Sequence, residues 1–116
     1  MLGASQVYNC TIGDTARIFS QRSDREHLKE FKNYRLWKEN TSFAVIEKGT
    51  PTATCFNNDF KPFCLRKVLF QVLNDTHLLL EIKDTNYEDG GKYQVEHVFG
   101  GLEGNHKDTI YLKIKG

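Results

Sequence analysis

Three cysteines, four histidines and three N-linked glycosylation sequons are the groups in this 116-residue chain that could support covalent or coordination chemistry. Cys55 and Cys64 stand nine apart in Cys55-Phe56-Asn57-Asn58-Asp59-Phe60-Lys61-Pro62-Phe63-Cys64, a turn-rich loop that a disulfide would pin. Closing so short a loop is worth on the order of 2 to 3 kcal/mol. Three cysteines permit three single pairings, of which the loop favours Cys55 with Cys64. Cys10 is then free and packed, joined to a part of the protein outside this chain, or joined to another chain. No histidine signature accompanies any cysteine, so a nucleophilic thiol is not expected.

His27, His77, His97 and His106 show no ligand spacing such as His-x-x-x-His. Neither a zinc site nor any other cofactor is expected, and the histidines read as surface or packed residues. Phe99-Gly100-Gly101-Leu102-Glu103-Gly104 has the glycines of a phosphate loop but lacks the following Lys-Ser/Thr, and it lies between two strand-like segments. It reads as a hairpin loop at an end of the fold, where recognition often concentrates. With no nucleophile elbow, metal motif or pair of acids in distinct environments, the chain does not read as an enzyme. The sequons place candidate glycans at Asn9, Asn40 and Asn74, and with cysteines that fit no metal spacing they point to the secretory pathway.

The elements that must carry these residues are short. Hydrophobic residues make up 39% and charged residues 27%, an ordinary globular composition for one domain spanning residues 1–116. Sixteen Lys and Arg against 15 Asp and Glu leave a net charge of +1, so no global field favours nucleic acid or anionic lipid. Apolar runs such as Val68-Leu69-Phe70 are far below the roughly 20 residues that cross a bilayer. Met1 to Ser5 has neither a basic nor an apolar region of a signal peptide, and the chain ends at a strand-like segment. Both ends read as those of the N-terminal part of a longer ectodomain, attached to a membrane only through a segment beyond Gly116.

Alternation predicts strands over 15–19, 34–38, 43–47, 67–73, 77–83 and 92–99, and a last strand with Ile110, Leu112 and Ile114 on one face. Glu39-Asn40-Thr41-Ser42 and Asn74-Asp75 read as turns. Ser23 to Lys32 carries a capping-box pattern, Ser23 with Glu26, that suggests a short helical turn. Many short strands at this spacing predict an all-β antiparallel sandwich.

Gly13-Asp14-Thr15-Ala16-Arg17-Ile18-Phe19-Ser20, Trp37 inside a strand, Leu80-x-Ile82 and Asp89-x-Gly91-x-Tyr93-x-Val95 together resemble the immunoglobulin variable-type domain over nearly the whole chain. The resemblance implies a two-sheet Greek-key sandwich in which Ser20 and Val95 hold the places of the inter-sheet cysteines, and Trp37 packs between the sheets. It makes Tyr93 the corner tyrosine and pairs Asp89 with Arg66 or Lys67. Arg35 falls where an apolar residue usually points inward, Thr85 replaces a usual leucine, and the three cysteines are extra to the pattern.

Variable-type domains without the staple resemble the N-terminal domains of signalling lymphocytic activation molecule (SLAM) type adhesion receptors, the carcinoembryonic antigen family, and herpesvirus glycoproteins that imitate such domains. Ser5-Gln6-Val7-Tyr8, Tyr34-Arg35-Leu36-Trp37-Lys38 and Lys92-Tyr93-Gln94-Val95-Glu96 are most similar to the first. That implies a cell-surface adhesion domain whose partner is another immunoglobulin-superfamily receptor, with weak self-association as a further possibility. A viral evasion domain that blocks a host receptor is the alternative. If Trp37, Val95 and Leu112 point inward, period two sends Leu36, Lys38, Gln94, Glu96, Val98, Tyr111 and Lys113 outward on the partner-binding face. Glu47 and Lys48 extend that face, and Phe99 ends it.

Overall fold

The computed structural model describes residues 2–21, 30–74, 76–100 and 105–116. Among these, nine strands run in the order β1 (Leu2–Thr11), β2 (Ala16–Gln21), β3 (Phe31–Lys38), β4 (Thr41–Glu47), β5 (Thr54–Cys55), β6 (Val68–Val72), β7 (His77–Ile82), β8 (Gly91–Phe99) and β9 (His106–Lys115). A six-residue helix, α1 (Lys61–Arg66), precedes β6, and a single 3-10 turn, Tyr87–Asp89, precedes β8. One sheet has the order β1-β9-β8-β3-β4-β5 and the other β2-β7-β6. Every pairing is antiparallel except β1 with β9. The additional strands β4 and β5 beside β3 make this the variable-type sandwich.

Alternation sets the faces of the smaller sheet. Ala16, Ile18 and Ser20 on β2 and Leu78, Leu80 and Ile82 on β7 are all buried, and they pair as Ala16 with Ile82, Ile18 with Leu80 and Ser20 with Leu78. Directly opposed residues share a face, so each pair enters the core together. The larger sheet answers with Tyr34, Leu36, Phe43, Ile46, Tyr93, Val95, Ile110 and Leu112. Burying an aliphatic or aromatic side chain of this size is worth roughly 1.5 to 3 kcal/mol.

The β3–β4 connection is tighter than the sequence suggests. Glu39 and Asn40 both have positive φ, 49° and 66°, the backbone of a two-residue primed turn, and Thr41 and Ser42 already belong to β4. Gly91 has φ 135°, and a Cβ there would lie 2.1 Å from Glu39 Oε1, so only glycine lets Glu39 reach the Lys92 amide at 2.6 Å.

α1 was not expected from the sequence. Asn57 starts its approach by accepting from the Asp59 amide at 2.9 Å through its side chain, and Pro62 sits in the first turn, where a missing N–H costs nothing. The helix turns Cys64 inward to form a disulfide with Cys55, with Cα atoms 6.0 Å apart. Phe60 and Phe63 close over Phe43, with ring centroids 5.9 and 5.8 Å away. In the expected helical turn at 23–32, Phe31 and Lys32 instead belong to β3, and residues 23–29 lie outside the described residues. Residues 101–104 of the glycine-rich loop also lie outside them.

The corner before β8 is built from polar contacts. Asp89 Oδ2 accepts from the Asn86 amide at 2.9 Å and from Lys67 Nζ, and the Asn86 side chain in turn accepts from the Glu88 amide at 3.0 Å. Tyr93 Oη donates to the Asp89 carbonyl, which fixes the tyrosine corner. Arg66, the other candidate partner for Asp89, is exposed at the end of α1.

Candidate functional site

The outer face of the larger sheet is assembled by register. Across it run Val45, Arg35, Glu96 and Lys107, each opposite the next on β4, β3, β8 and β9. One step along, Trp37 faces Gln94, and Gln94 faces Thr109. Toward the β1 edge, Val7 lies beside Tyr111 and Asn9 beside Lys113, with Val7 57% and Tyr111 42% exposed. Gln94, Glu96 and Val98 occupy the outward positions of β8, and Glu47 and Lys48 are exposed at the end of β4.

Three expected members of this face are inside instead. Leu36 is 1% exposed and Phe99 6%, both in the core, and Lys38 is 8% exposed. Trp37 is correspondingly on the outer face rather than between the sheets, and Arg35 points outward with it. The reason is pairing: Leu36 lies directly opposite Val95, and Val95 is buried, so the pleat turns Leu36 inward and Trp37 outward. Phe99 ends the inward series Tyr93, Val95, His97 on β8 and packs edge-on to Phe31 at 6.3 Å. Lys38 turns under the corner, where its Nζ donates to the Gly90 carbonyl at 3.0 Å and lies 4.8 Å from the Tyr93 ring centroid. Burial lowers the Lys38 pKa from its ordinary value, against the raising influence of Glu39 and Asp89.

Outward, Trp37 becomes the centre of a held cluster. Its Nε1 donates to Glu96 Oε1 at 3.0 Å, Lys107 Nζ sits 4.6 Å over its ring, and Asn105 Nδ2 donates to Glu96 Oε2 at 2.9 Å. Asn105 Oδ1 in turn accepts from the Phe99 amide at 3.1 Å. Both carboxylate oxygens of Glu96 are thus held in place. Glu96 lies on the face expected from the sequence, whereas Trp37, Arg35 and Lys107 join it only in the structure. Nothing along the chain marks them, because apolar residues fall on both phases of Tyr34-Arg35-Leu36-Trp37.

On the inner face, the structure brings together residues that the sequence reading left apart. Ser20 Oγ donates to Asp108 Oδ2 at 2.5 Å and lies 2.8 Å from His97 Nε2. His106 Nε2 is 2.9 Å from Asp108 Oδ1, and the two imidazoles meet edge to face at 4.8 Å. Ser20 holds the place of an inter-sheet cysteine in the resemblance, so a polar bridge from β2 to β8 and β9 crosses the sheets there. Cys10 is buried, free, and 3.6 Å from Thr85 Oγ1. Thr85, at a position usually leucine, donates to the Asp14 carbonyl at 2.9 Å.

No protein-family model matches this chain, and no curated protein matches it. Solved structures do. A chain in a structure on T cell specificity and activation by the bacterial superantigen toxic shock syndrome toxin-1 has a TM-score of 0.74 at 14% identity, covering 94% of this chain and 92% of that one. Tim-1 gives 0.70 at 11% identity, with 94% and 90% covered. CD84, from a study of SLAM family function, gives 0.68 at 17% identity, with 93% and 94% covered. At such identities the likeness is one of fold, and across nearly its whole length the chain is an immunoglobulin-like β-sandwich.

Proposed function

We propose that this domain is a cell-surface recognition module that binds another immunoglobulin-superfamily receptor through the outer face of its larger sheet. The observation that carries the reading is the Trp37, Glu96 and Lys107 cluster, with both oxygens of Glu96 held at 3.0 and 2.9 Å. Aromatic and arginine side chains dominate interface energies, and groups already fixed in place lose little entropy on binding. The row Arg35, Glu96, Lys107 alternates in sign, which suits a partner of complementary pattern and gives specificity and fast association. Glu47, Lys48, Gln94, Val98, Tyr111 and Lys113 form its surround.

Asn9, Asn40 and Asn74 are all exposed, which supports their reading as glycosylated positions of an extracellular chain. Asn9 lies beside Lys113 at the β1 edge and Asn40 in the β3–β4 turn, so glycans there would frame the face. The fold likeness to CD84 makes SLAM-type ectodomains the first partners to test.

The test is surface plasmon resonance of the purified domain against SLAM-type and carcinoembryonic antigen family ectodomains, with the domain itself included. The expected result is a saturable signal lost on both Trp37→Ala and Glu96→Lys. Silence across the panel, or binding that survives both substitutions, overturns the reading. A signal against the domain itself identifies self-association as the mode.

A further inference from the structure

His97 and His106 are direct cross-strand partners on the inner face of β8 and β9, and Asp108 follows His106 on that face at period two. One donor atom from each of the three lies within 4.8 Å of the others. His106 Nε2 stands 2.9 Å from Asp108 Oδ1, and His97 Nε2 stands 3.9 Å from Asp108 Oδ2. From the facing sheet, Ser20 Oγ lies 2.8 Å from His97 Nε2 and 2.5 Å from Asp108 Oδ2. Four-coordinate zinc, with bonds of about 2.0 to 2.2 Å, sets its ligand atoms about 3.3 to 3.6 Å apart. The spacings here bracket that value, so small side-chain rotations would bring the donors onto one ion.

We propose that His97, His106 and Asp108 form a zinc site in the core of the sandwich, with Ser20 Oγ or a water at the fourth corner. Two imidazoles and one carboxylate are a donor set suited to zinc, whereas calcium and magnesium favour shells of oxygen ligands. The zinc ligands lie on adjacent strands whose register already aligns them, a rigid placement. Zinc takes the Nε2 lone pairs, so each imidazole carries its proton on Nδ1 when the ion is bound.

Asp108 forms part of the lining of a crevice of about 290 Å³ together with Gln6, Tyr8, Arg17, Phe19 and Gln21. Arg17 at that crevice is held by Glu81 at 2.9 Å, which offsets its charge along the approach of a cation. Where the related sandwiches tie their sheets by a disulfide at this level, the ion would tie β8 and β9 to Ser20 on β2.

The experiment uses the whole 116-residue chain, stripped with chelator and titrated with zinc by calorimetry, with thermal unfolding followed in parallel. One zinc per chain is expected, with Tm raised by roughly 5 °C or more at a hundredfold excess over Kd. Cobalt(II) in its place should show the intense visible bands of four-coordinate geometry. Asp108→Asn and His106→Gln should each weaken binding by at least about a hundredfold, whereas His77→Ala, which alters a histidine outside the donor set, should not. No saturable uptake at zinc concentrations up to about 1 mM overturns the proposal. So does uptake that survives His106→Gln or is lost in His77→Ala. If neither core variant folds, the cobalt spectrum of the unaltered chain decides: weak six-coordinate bands or none overturn it.

Discussion

Trp37 Nε1 donates to Glu96 Oε1 at 3.0 Å on the outer face of the larger sheet, joining β3 to β8 where the fold usually packs its tryptophan inward. An indole needs a partner for its N–H, and at this position the partner lies on the solvent side. The residue that would have been the centre of the core becomes the centre of a surface.

Trp37→Ala should therefore leave the fold intact while removing about 2 kcal/mol or more of partner binding. The measurement is Tm alongside the plasmon resonance Kd. The converse substitution, Leu36→Ala, should cost about 2 to 5 kcal/mol of stability through the cavity it leaves. If Trp37→Ala destabilises as much as Leu36→Ala, the two faces have been assigned the wrong way round.

The corner should be fragile at Asp89. The Asp89 side chain is 6% exposed and bonds both Lys67 and the Asn86 amide, whereas Lys67 is more open at 23%. Asp89→Ala should cost about 3 kcal/mol, the range for breaking a buried ion pair, and Lys67→Met less. Urea unfolding with an unchanged m-value checks both.

Stability should fall in strong base through Tyr93. Burial, followed by the Asp89 and Glu39 carboxylates, raises its phenol well above the ordinary value of 10.0. A raised folded value means the contribution is full below about pH 10 and is lost as pH rises beyond it. Lys38 opposes this, since its lowered folded value gives a contribution that grows with pH toward 10.5. The larger Tyr93 shift should dominate, so Tm should drop between pH 10 and 11.5, and Tyr93→Phe should drop less.

Replacing Cys55 and Cys64 together with serine should cost on the order of 2 to 3 kcal/mol, because the pinned loop is short. Cys10→Ser should leave the Cys55–Cys64 bridge in place, since Cys10 lies against Thr85 and not against either half of the bridge. Thiol titration under denaturing conditions should find one free thiol before substitution and none after.

Much of this was legible in the sequence where period two is clean. Leu80 and Ile82 flank Glu81, and Ile110 and Leu112 alternate with Thr109, Tyr111 and Lys113, so their faces follow from pleat geometry. Tyr93 and Asp89 stand at the spacing of the corner. The helix α1 was hidden because six residues with a proline carry too little periodicity to stand out from a loop.

In Tyr34-Arg35-Leu36-Trp37, apolar residues fall on both phases, so no count along the chain says whether Leu36 or Trp37 faces inward. Only pairing with Val95 decides it, because opposed residues on neighbouring strands must share a face. Likewise Ser20, His97 and the pair His106 and Asp108 are separated in sequence by up to 88 positions, and nothing local joins the three strands that carry them. Local alternation and turn spacing predict an antiparallel sandwich and the inward lines of its simplest strands, and the corner follows from the resemblance carried by Asp89-x-Gly91-x-Tyr93. The outer-face cluster around Trp37 and the buried polar bridge were decided by tertiary structure, since both depend on which strands lie side by side and which sheets lie face to face.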